Sequence, residues 1–175
     1  MKIFVISDLH LGHANIIKMC NRPFRNVEEM DKEIIKRWNS VVGHQDLVYV
    51  VGDFSFKGKN AEHYLDKLNE NIILIKGNHD KYIKHPKIKG VYDYKEIEVG
   101  GVKYVLSHYP MVAWNGQFRN SVHLYGHVHS SGNDWEFPKV PNAYSICCEF
   151  HDYTPIEINK FKPKDFKKEV KNEYL

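Results

Sequence analysis

The sequence predicts an α/β fold in which two sheets pack face to face. Three observations carry that expectation. Apolar runs of strand length alternate with helix-periodic segments through the first half of the chain. Strand-like runs crowd together in the second half with little helix between them, the pattern of a second sheet packed on the first. Each early run also stops abruptly at a polar or glycine-bearing turn, where open parallel sheets carry their chemistry.

Ile3–Ile6 is a continuous apolar run closed by Ser7-Asp8 and reads as a strand buried on both faces. Leu11–Cys20 turns into a short helix through Ala14–Ile17, which Asn21-Arg22-Pro23-Phe24 stops, because the residue before a proline is pushed out of helical geometry. Across Val27–Val42, Val27, Met30, Ile34, Ile35, Trp38 and Val41–Val42 recur near a period of 3.6, the mark of an amphipathic helix, with Gly43 as its stop. Leu47–Val51 is a second buried strand, ending in Gly52-Asp53. Lys59–Asn69 is expected as a helix, and Ile72–Ile75 as the third strand. Strand–helix repeats of this kind build a parallel sheet with right-handed crossovers. Val91–Val99 and Val102–Leu106 flank Gly100-Gly101, a hairpin signal. Val122–Tyr125 and Tyr144–Phe150 add strands, and Lys160–Lys171 is expected to be a solvated, lysine-rich helix.

With 175 residues the chain is expected to form a single domain over 1–175, with its core in about 1–158 and a basic tail in 159–175. A net charge of +3 permits an anionic substrate without demanding nucleic acid. Cys20, Cys147 and Cys148 are odd in number, and two are adjacent. No Cys-x-x-Cys pair exists, which argues against a disulfide framework or a thiolate metal site and for a reducing cytoplasm. The opening apolar run is too short for a signal peptide, and no run approaches membrane length, so no membrane partner is expected.

The chemistry lies in five short blocks: Asp8-Leu9-His10, Gly52-Asp53, Gly77-Asn78-His79-Asp80, Ser107-His108 and Gly126-His127-Val128-His129. Asp8, Asp53 and Asn78 fall at the carboxyl ends of strands in one sheet, where they can converge. Asp8 and His10, two apart, would point the same way in extended chain. With His108, His127 and His129 they make seven oxygen and nitrogen donors and no thiolate, a set suited to first-row divalent ions more than to calcium or magnesium. Seven is too many for one ion and suits two that share a carboxylate. Two ions ~3.5–4 Å apart can hold a bridging hydroxide and clamp an in-line phosphoryl displacement.

Asp-x-His, Gly-Asp, Gly-Asn-His-Asp, His and Gly-His-x-His, in that order, resemble the calcineurin-like metallophosphoesterase superfamily from Ile3 to about Ile158. The resemblance implies a four-layer αββα sandwich of two mixed sheets flanked by helices. It implies that Asp8, His10 and His129 hold one divalent ion, that Asn78, His108 and His127 hold the second, and that Asp53 bridges them. Manganese is expected first, with iron, zinc, nickel or cobalt as alternatives. It further implies that His79 contacts the phosphate and protonates the leaving oxygen, oriented by Asp80.

Phe54-Ser55-Phe56 follows Gly52-Asp53, so the Asp-Arg found nearby in many phosphatases of the superfamily is missing there. The Ile6–His13 block, with Asn21-Arg22-Pro23-Phe24, resembles a branch of small stand-alone bacterial and phage phosphoesterases. Arg22 and Arg119 are candidates for phosphate contact or for structural ion pairs. His13 is a candidate for phosphate contact or for helix capping. Trp114, Asn115 and His123 could wall the pocket or pack the core. The expected activity is hydrolysis of a phosphodiester or nucleotide. Phosphomonoester hydrolysis is the nearest alternative, and a non-catalytic interaction scaffold on the same fold is the rival of another class. The expected partner is a small phosphorylated or nucleotide substrate, with short single-stranded nucleic acid as the alternative. The sequence leaves the oligomeric state open.

Overall fold

A computed structural model of the protein describes residues 1–69, 71–81, 83–130 and 140–164. The first sheet contains β1 (Ile3–Ile6), β2 (Leu47–Val51), β3 (Asn71–Ile75), β4 (Ile88–Tyr92) and β9 (Ile156–Glu157), in the spatial order β4-β3-β2-β1-β9. Strands β1 to β4 are parallel, and β9 closes the edge antiparallel to β1. The second sheet contains β5 (Tyr94–Val99), β6 (Val102–Ser107), β7 (Ser121–Tyr125) and β8 (Ala143–Ser145), in sequence order. There β5 and β6 form the antiparallel hairpin about Gly100-Gly101, while β6, β7 and β8 run parallel. Both sheets are therefore mixed.

Three helices, α1 (Ala14–Met19), α2 (Val27–Val41) and α3 (Ala61–Lys67), join the strands of the first sheet. Asn26 starts α2 by accepting a 2.8 Å hydrogen bond from the Glu29 amide, and Glu28 and Glu29 complement the helix dipole in its first turn. Its buried stripe is Met30, Ile34 and Trp38, and the Trp38 indole donates to the Asn69 carbonyl at 2.9 Å.

The two apolar faces of each early strand feed two separate cores. Phe4, Ile6, Val48, Val50, Ile72 and Leu74 pack with the α2 stripe and Leu65. Their neighbours Val5, Tyr49, Val51 and Ile75 pack with Tyr104, Leu106, Val122 and Leu124 of the second sheet. Side chains alternate across a strand, so a strand covered by helices on one face and by a sheet on the other must be apolar at every position.

Four expectations about elements need correction. The single strand expected over Val91–Val99 is cut at Asp93, which is exposed and pairs with Lys76 at 2.7 Å; the chain leaves the first sheet there and enters the second. The strand expected over Tyr144–Phe150 stops at Ser145. The Ser7 amide donates to the Ile146 carbonyl and the Cys148 amide to the Ser7 carbonyl, after which Cys148–His151 coils into a 3-10 turn. The helix expected over Lys59–Asn69 shortens to α3, because Asn60 takes a left-handed conformation at its start. In the tail, Ile158–Lys160 is a 3-10 turn and non-helical chain follows to Lys164; the remainder of the expected helix lies outside the described residues. Among the described residues no helix is long and apolar enough to cross a membrane.

Candidate metal centre

The loops that follow β1, β2, β3, β6 and β7 meet at one rim of the paired sheets. Asp8, His10, Asp53 and His127 all have positive φ, at 58°, 51°, 55° and 68°. Such backbone costs about 1–3 kcal/mol per residue and persists where the surroundings dictate it. Here the β1 and β2 loops are laced together: the Asp8 amide donates to the Gly52 carbonyl at 3.0 Å, and the His10 amide to the Asp53 carbonyl at 2.9 Å. Asp8 and His10 thus converge by left-handed turns rather than by the extended alternation expected of them. Two glycines make room. A methyl group at Gly52 would land on the His108 ring, and one at Gly126 would meet the Asp8 carboxylate.

Seven donors gather in two sets around one oxygen. Oδ2 of Asp53 lies 3.4 Å from His10 Nε2 and 3.6 Å from His108 Nε2. On the first side, His10 Nε2 is 3.2 Å from His129 Nε2, which is 3.7 Å from Asp8 Oδ1. On the second, Asn78 Oδ1 is 3.1 Å from both His108 Nε2 and His127 Nδ1. Asp8–His10–His129, Asp8–Asp53–His108 and His10–Asp53–His79 each bring three ligand atoms close enough to hold an ion.

Hydrogen-bond accounting shows that the set fits a cation. His108 Nδ1 lies 3.0 Å from the Val51 carbonyl and must carry the ring proton. With that proton on Nδ1 alone, its Nε2 presents a lone pair to two oxygens, from Asn78 and Asp53, that are themselves acceptors. A cation held between them reconciles this convergence, as a second proton on the ring would, and the oxygen and imidazole donors around it suit the cation. Burial pushes the Asp8 carboxyl up against the pull of His129, His108 and Ser7. Burial also pulls His10 down to about 2, reinforced by the His129 and Arg22 charges.

A supporting layer stands behind the donors. His129 Nδ1 lies 2.8 Å from Glu149 Oε1, and Arg22 holds that carboxylate at 2.9 Å. Burial lowers His129, but hydrogen bonds to Cys20 and Glu149 and the charges of Asp8 and Glu149 outweigh it and raise the ring to about 10. Glu149 was not singled out in the sequence, where it follows Cys147-Cys148 without a motif.

The arginines and Asp80 are placed as follows. Of its two alternatives Arg22 takes the structural ion pair: its side chain is buried and grips Glu149 and the carbonyls of Asp8 and Leu9. Asp80 does not orient the His79 ring. Its carboxylate accepts from the amides of Asp53, Phe54 and Gly77 at 2.8, 2.9 and 2.9 Å, and so joins the β2 and β3 loops. Arg119 is exposed and is not among the residues lining the cleft.

That cleft has a volume of about 530 Å³. Donors His10, Asp53, Asn78, His127 and His129 form one part of it, and Ile16, Met19, Cys20 and Phe56 form an apolar wall. His79 and His13 stand between them. The His79 amide donates to Asp53 Oδ1 at 2.8 Å, and its ring meets that of His10 edge-on at 5.0 Å. His13 stacks on Phe56 at 3.9 Å, makes no side-chain cap for α1, and its buried Nδ1 has no hydrogen-bond partner. Trp114, Asn115 and His123 do not wall the cleft. They bond to Ser121, Glu96, and the backbone of Met111 and Val105, respectively. Tyr109 flanks the second donor set instead, 4.7 Å from the His127 ring.

Residues 1–140 match the calcineurin-like phosphoesterase superfamily domain. An uncharacterized protein of Methanocaldococcus jannaschii is 39% identical over 164 residues, covering 90% of this chain and 88% of its own. The gene 66 protein of Mycobacterium phage L5 is 30% identical, covering 71% and 75%. In three dimensions, a protein of unknown function from Aquifex aeolicus superposes with a TM-score of 0.68 at 26% identity, over 91% of this chain and 96% of its own. A family domain matched over most of the chain, on a fold whose donor loops meet at one rim, makes this protein a member of the calcineurin-like phosphoesterase superfamily.

Proposed function

We propose that the protein is a two-metal phosphoesterase that hydrolyses a phosphodiester or nucleotide. The observation that carries this is the pair of donor sets sharing Asp53 Oδ2: Asp8, His10 and His129 on one side, Asn78, His108 and His127 on the other. The donors are oxygens and imidazoles, a set that suits first-row divalent ions, with manganese taken first and iron, zinc, nickel or cobalt as alternatives. Two such ions held by these residues would stabilise charge on the phosphoryl oxygens and lower the pKa of a water so that hydroxide is available as the nucleophile at neutral pH.

The chain's own groups do the rest. Asp53, through its shared oxygen, fixes the two sets relative to one another. His79, on the cleft wall beside His10, gives a proton to the leaving oxygen. His13 supplies a further polar contact to the phosphate from its place against Phe56. The apolar wall of Ile16, Met19 and Phe56 receives an organic substituent of the ester. No arginine or lysine lines this cleft among the described residues, so the positive charge that meets the phosphate would come from the metals. The buried, unbridged cysteines support a reducing compartment.

The test is turnover of bis-p-nitrophenyl phosphate and p-nitrophenyl phosphate with and without Mn²⁺. The expected result is metal-dependent hydrolysis with the diester ahead. Faster turnover of the monoester favours the monoesterase, and no metal-dependent turnover of either favours the scaffold on the same fold.

A further inference from the structure

We infer that Glu149 and Arg22 are a positioning pair that sets the metal affinity of the Asp8–His10–His129 side independently of the other. The inference rests on the two-metal reading above and extends it to residues outside the donor set.

The pair is built into the floor of one donor set only. Glu149 Oε1 accepts from His129 Nδ1 at 2.8 Å and from Arg22 Nε at 3.0 Å, and its Oε2 accepts from the Ser130 amide and hydroxyl at 2.8 and 2.9 Å. Arg22 reaches the other way. Its Nη2 donates to the Asp8 carbonyl at 2.8 Å, and its Nη1 to the Leu9 carbonyl at 2.9 Å. One ion pair therefore clamps the β1 loop, which carries Asp8 and His10, to the β7 loop, which carries His129. A ring whose Nδ1–H is held by a carboxylate presents Nε2 inward and is a more basic ligand.

Stability alone does not account for the pair. The Arg22 and Glu149 side chains are 0% and 2% exposed. A buried ion pair of this kind is commonly matched or bettered in stability by apolar side chains of the same volume. The second donor set has a different support. His108 Nδ1 is held by the neutral Val51 carbonyl at 3.0 Å, and the β2 and β3 loops are joined by Asp80. Neither contact involves Glu149 or Arg22, so the two sides differ by construction.

The test is a Zn²⁺ titration against a chromophoric chelator, on wild type, Glu149→Gln and Glu149→Ala, with melting curves as a check on folding. Wild type is expected to bind two equivalents. Glu149→Gln keeps an acceptor for the Nδ1 proton but loses the charge, and should weaken one equivalent about tenfold; Glu149→Ala should weaken it about a hundredfold. The other equivalent should stay within about twofold. Variants that bind both equivalents like wild type, or lose both alike, overturn the inference. A second measurement needs no variant: long-range ¹H–¹⁵N spectra of the Zn²⁺-loaded wild type should place the His129 proton on Nδ1, and a proton on Nε2 overturns the inference directly. A wild type that takes up no Zn²⁺ sinks the two-metal reading and this inference together. A wild type that takes up two while the variants match it sinks the inference alone.

Discussion

His79 and His129 show how two histidines at one rim are held differently by their neighbours. His129 is held from behind by Glu149 and faces the donor cage. His79 is held by its backbone amide, through Asp53 Oδ1, and its ring stands on the cleft wall. His79→Ala is therefore expected to keep both metal equivalents while turnover falls ~10²–10⁴-fold, most steeply for esters with poor leaving groups. Metal analysis and a leaving-group series check this; an equal, small loss across the series removes the acid role. The donors were legible in the sequence because each interrupts or ends an apolar run with a group that is costly to bury unpaired. The layer behind them was legible only in part. An ion pair was one of the two readings of Arg22, but nothing in the spacing names Glu149 as its partner across the chain. Asp80 departs from the role the resemblance implies, because its carboxylate accepts from backbone amides rather than from the His79 ring.

At the scale of elements, apolar periodicity located the helices and central strands, and failed where pairing decided the outcome. Val91–Val99 reads as one strand, yet Asp93 breaks it between two sheets. The chain after Ser145 bends because Ser7 pairs with its backbone, which local propensity does not encode. The segment joining β6 to β7 shows the same dependence on a single contact. The His123 ring is buried and spans Val105 and Met111: Nδ1 lies 3.0 Å from the Val105 carbonyl, and Nε2 accepts from the Met111 amide at 3.1 Å. Burial holds this ring below its ordinary value, so the folded protein keeps it neutral. Below about pH 6.5 the unfolded chain takes up a proton that the folded ring refuses. This contribution to stability is thus present above about pH 6.5 and is lost as pH falls toward the folded value. Melting of metal-free protein between pH 7 and 5 should fall less steeply for His123→Gln than for wild type. Parallel curves would show that His123 does not drive the loss.

For the molecule as a whole, two sheets joined near Ser7 and Cys147 bring loops from both halves of the chain to one rim. The paired-sheet architecture was readable from the alternation of helix and strand in the first half and its absence in the second. The convergence of donors was readable only through the order of the motifs. What unites the site is Asp53, whose Oδ2 stands between His10 and His108. The most direct measurement is anomalous diffraction from crystals grown with Mn²⁺. Two manganese peaks ~3.5–4 Å apart are expected to flank that oxygen, and both to be lost in Asp53→Asn. A single peak, or two peaks that survive the substitution, would contradict the bridging role of Asp53.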